Sequence, residues 1–171
     1  FGLAEGAAID WSALHVTDVT RVSPGVGASG LVAVSGFMLV VRLLGDRLVA
    51  KVGRRITVRI GGACAAVGFA AVALVTALPL VLAGWALVGV GVGLIAPQVY
   101  AAAGHLGGAR AMAVTLTFGY AAVFIGPAAM GSMIKIVGIQ PAMWLPAVLC
   151  ASILLLAKAM PRQDAGLAPR D

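Results

Sequence analysis

Charge is what this sequence most lacks. Only 11% of its 171 residues are Asp, Glu, Lys or Arg, where a soluble domain carries about a quarter. A water-soluble globule needs polar residues over its surface, and a chain that is 61% hydrophobic would overfill any single core. Cysteine is also scarce. Cys64 and Cys150 each stand alone in an apolar run, which excludes a disulfide framework and leaves two small buried hydrophobes. No Ser/His/Asp arrangement is visible, and His15 and His105 fall near opposite membrane faces and cannot meet. No His/Cys cluster offers a metal site, so no metal and no cofactor are expected, and nothing argues for an enzyme. The Gly-x-Gly patterns lie deep in apolar runs, with no strand before them and no Lys-Ser/Thr after, so they are not phosphate loops. No signal peptide with a basic start is present. The chain opens at Phe1 already inside an apolar stretch, and the expectation is that residues precede it.

What remains is a solvent argument. Lipid is the one environment that accepts this much apolar surface. Glycine is abundant, at 23 residues, and in a bilayer small residues let helices approach where hydrophobic burial gives no driving force. Measured against the roughly 20 residues that span a bilayer, the sequence divides into six segments. They run from Phe1 to about Val16, Gly25 to Leu44, Ile56 to Ala77, Pro79 to Ala103, Ala111 to Val137 and Pro141 to Met160. The expected fold is therefore an all-α integral membrane bundle of six transmembrane helices over 1–160. Residues 161–171, PRQDAGLAPRD, have no periodicity and read as a solvated tail. Proline at 79 and 141 starts a helix where none can continue, and such short turns make neighbours antiparallel.

The net charge of +6 does not imply nucleic acid, because the basic residues sit at the ends of apolar runs. Arg42, Arg47, Lys51, Arg54, Arg55, Arg59, Arg110, Lys158, Arg162 and Arg170 fall on one side, and only Arg21 and Lys135 on the other. The positive-inside rule then places both ends of the bundle in the cytoplasm.

Ionisable groups within a membrane are costly and are functional candidates by default. Glu5 is the sharpest case, because 13 residues separate it from Asp18 at the outer boundary. That spacing is about 20 Å of helix, well inside the hydrocarbon. Hydrocarbon disfavours the charged form of a carboxyl, a property useful for proton coupling or solute binding. The plainer reading is a neutral Glu hydrogen-bonded to a neighbouring helix. Asp10 lies about 140° round the helix from Glu5, so the two do not form a dyad, and beside Trp11 it suits the interface. Ser12 is seven residues on and shares the Glu5 face.

Two small-residue stripes follow. Gly89, Gly93 and Pro97 recur every four residues in the fourth segment, a pattern that means close helix packing first and a sliding, bent face second. Gln98 and Tyr100 beside them offer hydrogen bonds to a solute. In the fifth segment Thr115, Gly119, Ala122 and Gly126 form a second stripe, Pro127 invites a kink, and Tyr120 is a candidate for either a cavity or packing.

The stretch Arg42-Leu-Leu-Gly-Asp-Arg-Leu followed by Gly53-Arg-Arg resembles the signature loop of the major facilitator superfamily (MFS). Asp46, Arg47, Gly53, Arg54 and Arg55 match its charged and glycine positions. The family's first glycine falls on Arg42, and Asp46 stands seven residues from Gly53 instead of three, an insertion of about one helical turn. The opening AEGAAIDWSALHV resembles the seventh helix of a bacterial, sugar-permease-like branch, and Gly126-Pro127 with the Gly-rich fourth segment fit the eleventh and tenth. The family's fourth-helix arginine has no counterpart, since Trp85 stands at its spacing from Gly89.

The resemblance implies the C-terminal half of such a permease: helices seven to twelve in a 3+3 inverted repeat, facing a missing N-terminal six-helix half. Glu5, Ser12, Gln98, Tyr100 and, with less support, Tyr120 would face a small-molecule solute. Asp46, Arg47, Arg54 and Arg55 would form a conformational latch, or Asp46 would only answer local arginines. Gly89, Gly93, Pro97, Gly126 and Pro127 would serve as hinge or packing positions. The partners implied are the lipid bilayer of a bacterial cytoplasmic membrane, the missing half, the solute and protons as a candidate coupling ion. A six-helix membrane scaffold without a solute path remains the rival reading.

Overall fold

The structure, a computed structural model, describes residues 1–159. The expected tail at 161–171, with Met160, Arg162 and Arg170, lies outside the described residues. Every element among the described residues is helical. We number the six long helices α1 Gly2–Thr20, α2 Pro24–Val52, α3 Arg54–Leu74, α4 Leu78–His105, α5 Gly107–Val137 and α6 Ile139–Leu156. A single 3-10 turn, Ala157–Ala159, follows.

Five of these helices, α2 to α6, are long and apolar enough to cross a membrane. The sequence reading expects six. The sixth, α1, forms as a helix but holds three carboxylates, Glu5, Asp10 and Asp18, within its 19 residues. It also runs past the expected end at Val16 to Thr20, with the Thr17 and Thr20 hydroxyls turned back onto the carbonyls of Ala13 and Val16. Residue Arg21 closes it in the left-handed region (φ 57°, ψ 37°). A larger difference concerns α2. Its expected end near Leu44 is too early, since the polar stretch stays helical to Val52. The extra turn in the loop signature is therefore accommodated as helix, and Asp46 and Arg47 lie on α2 rather than in a connection.

Glycine makes the sharp connections. Gly53 (φ 80°, ψ 159°) alone separates α2 from α3, and Gly138 (φ 88°, ψ 163°) alone separates α5 from α6. Each donates its N–H back to the fourth residue before it, Val49 and Ile134 respectively, at 2.8 Å. The two turns are conformational copies in a region that costs other residues more. Gly108 (φ 56°, ψ −146°) leaves helical geometry at the start of α5, where the chain kinks away from α4.

At the centre lies α4. Its small residues let three backbones come together. A methyl on Gly89 would strike the Val34 carbonyl of α2, and one on Gly93 would stand 3.1 Å from the Met38 carbonyl oxygen. On its other side, a methyl on Gly91 would meet the backbone of Gly61 and Ala65 in α3. A methyl on Gly68 would stand 2.8 Å from the Gly84 carbonyl oxygen across the same seam. The paired positions rise together between α2 and α4, so these helices are parallel, whereas α3 and α4 are antiparallel. By contrast α5 has only 6% of its apolar window buried, with Phe118, Val123, Phe124 and Ile125 exposed.

A buried polar cluster ties three helices at the end opposite Gly53. Trp85 Nε1 of α4 donates to His15 Nδ1 of α1 at 3.4 Å, and His15 Nε2 donates to the Val72 carbonyl at 3.1 Å. Both bonds together require the neutral imidazole with its proton on Nε2. Phe69 meets the Trp85 ring edge-on at 5.7 Å. The carbonyls of the last turn of a helix have no partner within it. Here His15 serves one at the end of α3, and Gln140 Nε2 reaches the next-turn carbonyl of Val75 at 3.1 Å.

Three outcomes follow for stability in detergent, read by thermal unfolding. Gly89→Ala is expected to destabilise by about 1–3 kcal/mol, because the added methyl meets backbone rather than a movable side chain. Gly36→Ala, where nothing stands within 4 Å, is expected to be neutral. His15→Phe keeps the ring volume but orphans two buried groups, at a cost of about 2 kcal/mol.

Candidate functional site

The helix start that carries Glu5 is held between two neighbours. On one side α1 packs on α5, where a methyl on Gly2 would touch Ala122 Cβ at 3.1 Å and one on Gly126 would stand 3.8 Å from Leu3 Cγ. On the other side α1 runs antiparallel to α2, with Gly30 seated on the Ser12 carbonyl and Val16. That register brings Glu5 opposite Arg42. Arg42 Nη2 donates to Glu5 Oε1 at 2.8 Å, and this is the ion pair found among the described residues. The guanidinium side chain remains 40% exposed and the carboxylate 24%. One N–H of five is used, which leaves most of the fork open.

Arg42 is the residue that the sequence reading only counts for orientation, among the basic residues of the second-to-third connection and its flanks. It sits inside α2, ten positions before that helix ends at Val52. Its flanks, Val40-Val41 and Leu43-Leu44, are the available signal. An arginine with apolar neighbours on both sides invites the same question asked of Glu5.

The other candidates scatter. Ser12 is fully buried where α1 meets α2, and its hydroxyl has no hydrogen-bond partner. Gln98 is 7% exposed. Tyr100 is half-buried, its ring edge-on to Phe1 at 5.8 Å and its hydroxyl directed at Gly119 of α5. Tyr120 is 64% exposed on the uncovered side of α5. Glu5 and Tyr100 thus flank the start of α1, while Ser12 and Gln98 are closed off inside this six-helix body.

Among the hinge positions, Gly89 and Gly93 are filled by α2, as packing requires. Pro97 continues their stripe toward the Arg42 turn of α2 and is exposed, as is Pro127. Each proline lacks the N–H that would serve the carbonyl four residues earlier, at Gly93 and Val123. Of the latch positions, Asp46 and Arg47 are exposed on α2, and Arg54 and Arg55 are half-buried at the start of α3. Asp46 makes no ion pair among the described residues, and the buried Nε of Arg54 has no partner. An open apolar cleft of about 490 Å³ lies between the start of α1, α5 and α6, lined by Leu3, Phe118, Ala122, Leu149 and Ile153. None of the candidate residues lines it.

Comparison with known proteins places this geometry. Residues 6–170 match the model of the Major Facilitator Superfamily. The chain is 32% identical over 162 residues to an uncharacterized transporter, y4wD, of Sinorhizobium fredii, covering 93% of this chain and 43% of that protein. It is 31% identical over 163 residues to an uncharacterized MFS-type transporter of Yersinia pestis, covering 94% and 42%. It is 30% identical over 145 residues to the membrane protein MosC of Rhizobium meliloti, covering 82% and 35%. The chain therefore spans less than half the length of the relatives it matches. With nearly all of its residues inside the family model, and with five apolar helices packed through glycine seams, the chain belongs to the major facilitator superfamily.

Proposed function

We propose that this chain is the C-terminal half of a secondary transporter that moves a small solute by alternating access, with coupling to protons through Glu5. The observation that carries the reading is the Glu5–Arg42 pair. It joins two helices within their apolar lengths, where ionisable groups are costly and mark function by default. In this reading α1 is the sixth span, and its exposed Asp10 is covered by a missing N-terminal six-helix half rather than by lipid. The uncovered side of α5, with Tyr120, faces the same way.

The equivalent turns at Gly53 and Gly138 support a 3+3 repeat, since each joins the second and third helices of one set. The end of the bundle that holds Gly53 and Gly108 gathers Arg47, Lys51, Arg54, Arg55 and Arg110, which supports a cytoplasmic position for it in a bacterial inner membrane. Asp46 and its neighbouring arginines would latch that end in one access state.

Two observations favour the second reading, a scaffold without a solute path. Ser12 is packed dry, and the Gly89 and Gly93 stripe is filled by α2. Thiol accessibility separates the two readings. With the full-length protein in membranes, a cysteine replacing Gln98 is expected to react with a soluble maleimide, because the opposite access state opens the inner face of α4. Complete protection of that cysteine, with an exposed control position labelled, removes the solute path and leaves the scaffold.

Glu5→Gln is expected to insert and fold yet lose the pH dependence of solute uptake in proteoliposomes. Uptake that still follows the proton gradient would take the coupling role away from Glu5.

A further inference from the structure

The charge arithmetic of the Glu5–Arg42 pair restricts what solute this half can carry, and the inference rests on the carrier reading above. A guanidinium contributes a fixed positive charge. Paired with ionised Glu5 the site is neutral, which is the state that costs least in a low-dielectric layer. Proton uptake on Glu5 removes the partner and leaves a single positive charge. Neutrality returns only if a monoanion takes the place of the carboxylate. A cationic solute would leave the site with excess positive charge whether or not Glu5 is ionised. A neutral solute would leave the pair intact and draw no proton.

We propose that Arg42 is the solute-holding group of this half, and that its ligand is a small monocarboxylate admitted as a proton releases the guanidinium from Glu5. Arg42 is the more exposed partner, and four of its five N–H donors are unused. A planar fork of this kind matches a carboxylate with two parallel hydrogen bonds. Loaded and empty sites are then equally neutral: Arg⁺ with Glu⁻ when empty, Arg⁺ with protonated Glu and one anion when loaded. One proton moves with one anion.

Among the described residues no other ionised group pairs with Glu5. Arg42 is its contact from α2. Within 78–104 of α4 and 111–134 of α5 the sequence has no charged residue, and the titratable side chains there are Tyr100 and Tyr120. Arg54, Arg55 and Arg59 at the start of α3 make no ion pair with Glu5. Asp10, five residues along α1, is exposed, and Cys150 is the titratable residue of α6.

The test uses the full-length protein in detergent, titrated with benzoate, myo-inositol and ethanolamine while its unfolding temperature is followed. Benzoate is expected to stabilise the wild type more in acid than in mildly alkaline buffer. Glu5→Gln, whose side chain mimics the protonated acid, is expected to bind benzoate about tenfold or more tightly at neutral pH, by removing a charged competitor, and with no pH dependence. The double variant Glu5→Gln/Arg42→Gln, neutral and free of an orphaned charge, is expected to lose the response. Equal benzoate responses in wild type and Glu5→Gln overturn the exchange, as does stabilisation by myo-inositol or ethanolamine that the double variant loses. If the cysteine at position 98 is labelled while benzoate fails, this inference falls and the carrier stands. If that cysteine is protected and benzoate fails, both fall.

Discussion

The close backbone approach of α4 to α2 and α3 is the constraint on which the rest of the bundle depends. In lipid the hydrophobic effect does not press helices together, so contact must come from shape. Gly89 and Gly93 let α4 lie against the Val34 and Met38 carbonyls, and Gly91 with Gly61 and Gly68 does the same against α3. Once α4 is fixed between them, Trp85 reaches His15 and Phe69, and α1 is placed by that contact at one end. The register so set between α1 and α2 carries Glu5 to Arg42 at the other. The ion pair is thus a downstream consequence of glycine spacing in a helix that contains neither of its residues.

Much of the architecture was legible in sequence because lipid imposes a simple rule. Apolar runs of the right length must be helices, and α3 to α6 were found within a few residues of their observed ends. The failures occurred where polarity was taken as a helix boundary. Asp46, Arg47 and Lys51 read as a loop, yet they continue α2, since a helix can leave the hydrocarbon without ending. Thr17 and Thr20 likewise extend α1. The packing role of Gly89 and Gly93 could be read from period alone. That Ser12 would be sealed and Tyr120 left open could not, because both depend on which neighbour covers each face.

Arg42 illustrates a different difficulty. Counting basic residues to orient the bundle assigned it to a flank, and the count was insensitive to its depth. Glu5 was judged by depth, and the same criterion applied to Arg42 would have suggested a partner for it. Trp85 and His15 were each visible as single residues. Their meeting rests on α1 and α4 crossing side by side, a fact of tertiary structure that no periodicity contains.

The single-residue connectors have a mechanical consequence. Neighbouring Cα atoms are fixed about 3.8 Å apart, so a one-glycine link leaves almost no slack between the helix ends it joins. At Gly53 the ends of α2 and α3 cannot separate, and at Gly138 those of α5 and α6 cannot. Far from Gly53, α3 is also clasped at its carbonyl end by His15 and Gln140. Any rearrangement must therefore move α2 with α3 and α5 with α6, pivoting at glycine rather than sliding. The bundle has fewer independent parts than it has helices.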